Sequence, residues 1–240
     1  MKTPSEQLGR VAGWISAPVF AAAAAFRHSR VFHPSGELFE GTVEPGAPPD
    51  DFAPLAIALR GRALVRFSGA LWKRTDTHRP DVLGCALRLE DARRGNQDLL
   101  FATIRRPWTM GLAPLTTHVD DYLENDYFGV SPFTLEDVAR RFYLRLRPRR
   151  SGKDGGERTE RLLRAVAEAP VEIAIDASYR PRSEWREVAV LVVDHQAAPE
   201  DKDLHFDPFS TGRGIRPRGL IHALRRGAYA ASQGTRRIFE

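Results

Sequence analysis

Seven short segments with alternating apolar and polar residues constrain this chain more than any other feature. They fall at about 28–33, 38–44, 61–69, 82–90 and 98–105, and in "VEIAIDASY" and "EVAVLVVDH". A period of two puts every second side chain on one face of a strand, so each segment has a face to bury. "VEPGAPPDD" (43–51) and "RRGN" (93–96) carry the Gly, Pro, Asn and Asp of turns. Residues 118–145 are expected to be mainly helical, with Pro132 and Thr134 opening "TLEDVARRFYLRL" and Asp137 completing a capping pattern. A short helix at about 157–168 and a final one at about 219–234 complete the elements. Seven or eight strands with helices outside them point to an α+β fold built on a closed barrel.

Composition removes several function classes. The 240 residues suffice for one sizeable core. The net charge of +5 comes mostly from arginines scattered singly through apolar segments, without a nucleic-acid-binding motif, so no nucleic-acid partner is expected. The single cysteine, Cys85, rules out an internal disulfide and a CxxC metal site. Seven histidines lack metal-ligand spacing, and there is no GxSxG elbow, P-loop or GxGxxG turn. The apolar run "VAGWISAPVFAAAAAF" (11–26) is shorter than the ~20 residues of a spanning helix. It is expected to form an N-terminal helix within residues 1–27, packed or in peripheral contact with a membrane; a secretory signal is the alternative. The rest, 28–240, is expected to be one domain of a cytoplasmic protein.

Two patterns carry chemistry. In "LRRGAYAASQGTRR", Tyr229 lies four residues after Arg225 and seven before Arg236, so one helical face holds all three. A neighbouring guanidinium favours the phenolate, an anionic ligand suited to ferric haem. Taken alone, the triplet also fits a terminal helix with Tyr229 packed and the arginines in water. In "VRFSG" (65–69), Arg66 and Ser68 project to the same side of a strand, where they can bind a carboxylate and orient an imidazole. A half-exposed strand gives the same pattern.

Together with "RVFHPSGELFEG" (30–41) these fragments resemble the haem catalase superfamily. That stretch is similar to the catalase distal motif, an Arg-Val-x-His with glycines three and eight positions after the histidine, here Gly36 and Gly41. "VRFSG" resembles the Val-Arg-Phe-Ser strand. "RPDVLGCALRLED…GNQDLL" resembles the Arg-Asp-x-Arg-Gly-Phe-Ala-x-Lys strand and Gly-Asn-Trp-Asp-Leu turn, "HFDPF" (205–209) the Phe-Asp-Pro-Phe segment, and "RRGAYAASQGTRR" the proximal helix. The fragments are collinear from about residue 30 to 236. The resemblance implies a catalase-like antiparallel β-barrel with flanking helices and a C-terminal proximal haem helix. It further implies haem b (iron protoporphyrin IX) as cofactor and His33 as the distal acid–base group, oriented by Ser68. Tyr229 would be the iron ligand, held as phenolate by Arg225. Arg30, Arg66 and Arg236 would face the haem propionates, although strand alternation puts Arg30 and His33 on opposite faces.

The departures also have implications. Where catalases carry a distal asparagine, "GNQDLLFATIRRP" offers Ala102 or Thr103, leaving Thr103 as the substitute catalytic donor. Set against the catalase pattern, the sequence is expected to lack the N-terminal arm and most of the wrapping segment between "HFDPF" and the proximal helix. Phe128 or Phe133 is a candidate pocket wall, with a core role as the alternative. The expected activity is that of a peroxide-using oxidoreductase: a peroxidase, a weak catalase, or an enzyme of organic or lipid hydroperoxides, with a monomer and a homo-oligomer both open. A non-catalytic haem carrier or sensor and a haem-free scaffold are the alternatives.

Overall fold

The computed structural model describes residues 36–70, 79–129, 131–152, 155–181, 184–198 and 204–218. The expected N-terminal helix, the strand at 28–33 and the terminal helix lie outside these residues.

Eight strands close into an antiparallel barrel: β1 (Gly36–Pro45), β2 (Gly61–Gly69), β3 (Leu83–Leu89), β4 (Gln97–Ala102), β5 (Tyr127–Gly129), β7 (Tyr143–Pro148), β8 (Val171–Ser178) and β9 (Arg186–Gln196), with β9 returning to β1. Closure leaves no unpaired edge in the barrel. Two short strands, β6 (Phe133–Thr134) and β10 (Arg216–Pro217), pair with each other outside it.

Alternation accounts for the inner wall. Phe39, Val65, Leu87 and Leu99 are successive cross-strand partners, and all are buried in one core with Leu144, Leu146, Ile173, Ile175, Leu191 and Val193. Cys85 belongs to that core, and burial pushes its thiol well above the ordinary range. The outer wall carries the opposite set, and a second cluster forms on it around Leu38, Ala197 and Phe206.

The expected helix over 118–145 is not formed. Leu135, Val138 and Phe142 have helical spacing, but the barrel uses this stretch differently: Phe133, Val138 and Phe142 are buried in the core. Thr134 pairs with Arg216 instead of capping a helix. "YLRLRP" alternates, Leu144 and Leu146 turning inward, and becomes β7. The cap in this region is Asp121, whose carboxylate accepts from the Leu123 N–H over the 3-10 turn Tyr122–Glu124.

Two helices close the barrel. Ala53–Leu59 buries Leu55, Ala56 and Leu59. Arg158–Glu168 buries Leu162, Ala165 and Val166, and its last turn is held by Arg150, whose Nη2 donates to the Ala165 and Ala169 carbonyls at 2.7 Å each. From the start of the second helix, Arg158 reaches the end of β2 and forms a buried pair with Asp81 (3.2 Å), its guanidinium lying 5.6 Å from the Tyr122 ring centroid. Gly69 has no side chain because this pair fills the space: a Cβ there would lie 2.5 Å from Arg158 Nη2.

Candidate functional site

The strand registers turn isolated motifs into a surface. Gly36, Ser68, Gly84 and Ala102 are cross-strand partners in succession, one from each of β1 to β4. All four have outward parity, since Phe39, Phe67, Cys85 and Phe101 point into the core. Small residues on four adjacent strands leave a shallow strip roughly 14 Å wide at ordinary strand spacing. At Gly36 the strip is closely fitted: a Cβ would lie 2.7 Å from the Phe67 carbonyl and 2.8 Å from Arg66 Nε. The register then continues through Phe128, which is half-buried and meets Trp185 edge-on at 6.1 Å.

The adjoining row is Leu38, Arg66, Ala86 and Leu100. Arg66 is the charged member of these two rows. Burial holds its guanidinium below the ordinary arginine value, opposed by Tyr122 and Glu37; it remains a cation, and an anionic ligand placed beside it would offset part of its desolvation. Arg66 and Ser68 therefore share the outer face, as their spacing in the sequence indicated, and Ser68 itself is buried.

Thr103 takes a different place. It follows Leu99 and Phe101 with inward parity; its hydroxyl accepts from the Leu83 N–H at 3.1 Å and lies 2.8 Å from the Thr117 hydroxyl. Ala102, not Thr103, stands in the Ser68 row. The two phenylalanines separate in the same way: Phe133 is a core residue stacked on Phe142, whereas Phe128 borders the strip. Arg30, His33, Arg225, Tyr229 and Arg236 lie outside the described residues.

Two of the described phenols, Tyr122 and Tyr127, do not suit an iron ligand. Tyr122 and Tyr127 are buried in the core, and burial raises both above the ordinary phenol value, keeping them neutral. Among the described residues no group of three or more His, Cys, Asp or Glu could hold a metal ion. No helix among them is long and apolar enough to cross a membrane. Sequence reasoning named Ser68 and Arg66, left Ala102 and Thr103 as alternatives for the neighbouring position, and missed Gly84. Their outward parity was readable, whereas the register that aligns them was not.

No family model matches the chain, and no curated protein does. Among solved structures it is similar to catalase A from Saccharomyces cerevisiae (TM-score 0.64, 15% identity, covering 84% of this chain and 60% of that one). It is also similar to a fungal catalase (TM-score 0.60, 15% identity, covering 82% of this chain and 57% of that one). The chain spans about three-fifths of the length of each. Its fold is a catalase-like α+β barrel.

Proposed function

We propose that this chain is a haem b protein that uses organic hydroperoxides in preference to hydrogen peroxide, with the macrocycle against the outer wall of β1–β4. The strip Gly36–Ser68–Gly84–Ala102 with Arg66 beside it supports this reading: it is lined by small side chains and flanked by a half-buried cation suited to a propionate. The residues present fit the group. A bound haem supplies the iron at which a peroxide oxygen–oxygen bond is cleaved.

The remaining work falls to side chains. His33 precedes Gly36 by three residues, so its Cα is within about 11 Å of that end of the strip in any conformation. In this reading its imidazole takes the proton from one peroxide oxygen and returns it to the other. Ser68 Oγ holds the ring in the required tautomer. Tyr229 would ligate the iron with Arg225 stabilising its phenolate, and Arg30, Arg66 and Arg236 would pair with the propionates. Ala102 supplies no hydrogen bond to a second peroxide oxygen, and with Phe128 it offers apolar surface to an organic substituent. That arrangement favours alkyl or lipid hydroperoxides.

In a dye-oxidation assay of the haem-loaded chain, cumene hydroperoxide is expected to support faster turnover than hydrogen peroxide. Ala102→Asn should raise hydrogen peroxide turnover about tenfold, the worth of one hydrogen bond near 1.4 kcal/mol. A loaded protein that turns over neither peroxide would instead favour the carrier or sensor reading, which the methyl group at Ala102 and the committed Thr103 hydroxyl also suit.

A further inference from the structure

Two rows along the same outer wall, Arg88 and Asp98 are cross-strand partners on β3 and β4. They form a two-pronged pair, Nε to Oδ1 at 2.7 Å and Nη2 to Oδ2 at 2.6 Å. Both also bind the segment 204–217. Arg88 Nη2 donates to the His205 carbonyl at 2.7 Å, and the Asp207 N–H donates to Asp98 Oδ2 at 2.6 Å. The Phe206 ring covers the guanidinium, its centroid 5.1 Å away.

Further contacts follow at the rim. The Asp98 N–H donates to the Ser210 carbonyl at 2.9 Å and the Gly212 N–H to the Asn96 carbonyl at 3.1 Å. Gln97 Nε2 donates to the Ser210 and Ile215 carbonyls, and Gln97 Oε1 accepts from the Ile215 N–H. Gly212 lies so close to Gly95 that a Cβ would collide with its carbonyl.

A buried ion pair is a poor way to gain stability alone, because desolvation offsets much of the attraction. Its advantage is directional: a forked cation and a carboxylate with defined lone pairs accept one register of the strap and reject slipped ones. We infer that Arg88 and Asp98 are positioning residues that fix the strap 204–217 in a single register on the barrel wall. They thereby fix the point on the barrel wall from which the chain that carries Arg225, Tyr229 and Arg236 continues. The second half rests on the proposed haem reading; the first stands without it.

The test uses full-length Arg88→Met/Asp98→Leu, which removes both charges without stranding either, and Phe206→Ala, which keeps the pair and removes its cover. Hydrogen exchange reads the strap independently of haem. Protection of the Asp207, Ser210 and Gly212 amides is expected to fall at least tenfold in both variants, with β7–β9 unchanged. Unaltered strap protection in both overturns the inference whether or not haem binds. In haem-loaded protein the double variant is expected to bind haem about tenfold more weakly with a displaced Soret band, and Arg88→Lys should restore part of both. A loosened strap with unchanged haem affinity and spectrum overturns the link to the site, while a wild type that takes up no haem defeats the functional reading and leaves the exchange result to decide the clamp.

Discussion

Arg158→Met is expected to lower the stability of the folded chain by about 3–5 kcal/mol, the largest loss for any single substitution considered. The Arg158 and Asp81 side chains are 3% and 0% exposed, so removing the cation takes a charge partner from a carboxylate held away from water. Asp81 keeps its bond from the Val82 N–H at 2.7 Å, which offsets only part of that cost. Arg158 also donates to the Val119 carbonyl at 3.3 Å, so the loss extends to the turn before Tyr122. The paired variant Arg158→Met/Asp81→Leu should recover most of the deficit, since it leaves no lone charge. Urea unfolding followed by circular dichroism measures both. A single variant within about 1 kcal/mol of wild type would mean that the pair is solvated and that the barrel end is not sealed as described.

His33→Ala is expected to reduce peroxide-dependent dye oxidation by about 10²–10⁴-fold, the usual contribution of a positioned acid–base group, while haem uptake stays intact. The argument is one of proton balance. Cleaving a peroxide bond requires one oxygen to lose a proton and the other to leave protonated, and neither Ser68 nor Ala102 can exchange a proton near neutral pH. Ser68→Ala should cost less, because it loosens the imidazole without removing it. Stopped-flow kinetics at saturating hydroperoxide separates the two variants. Turnover that survives His33→Ala would remove the proton carrier from the mechanism.

Much of the barrel was legible because alternation reports directly on burial. β2 matches its expected span, and β3, β8 and β9 match within a residue or so, since each presents a continuous apolar face. β7 was not legible because Leu135, Val138 and Phe142 satisfy helical spacing. What decides against a helix is the need of β5 and β8 for a strand between them, a fact about closure that lies outside the segment. The helix Ala53–Leu59 gave no cap signal either, and follows directly on a 3-10 turn.

The site was legible in its residue types and not in its assembly. Arg66 and Ser68 share a face by local parity alone. That Gly36, Gly84 and Ala102 align with Ser68 depends on registers set by the whole barrel, as does the separation of Ala102 from Thr103. The Arg158–Asp81 contact joins residues 77 apart in sequence, and Arg88 meets His205 across 117. No local pattern specifies contacts of that kind.

The central claim is tested most directly by titrating the purified chain with haemin while recording the Soret band, in wild type and in Tyr229→Phe. A saturable band at one haem per chain is predicted for wild type, with a shifted ferric spectrum and weaker retention in the variant. A wild-type chain that stays colourless through the titration would contradict the account.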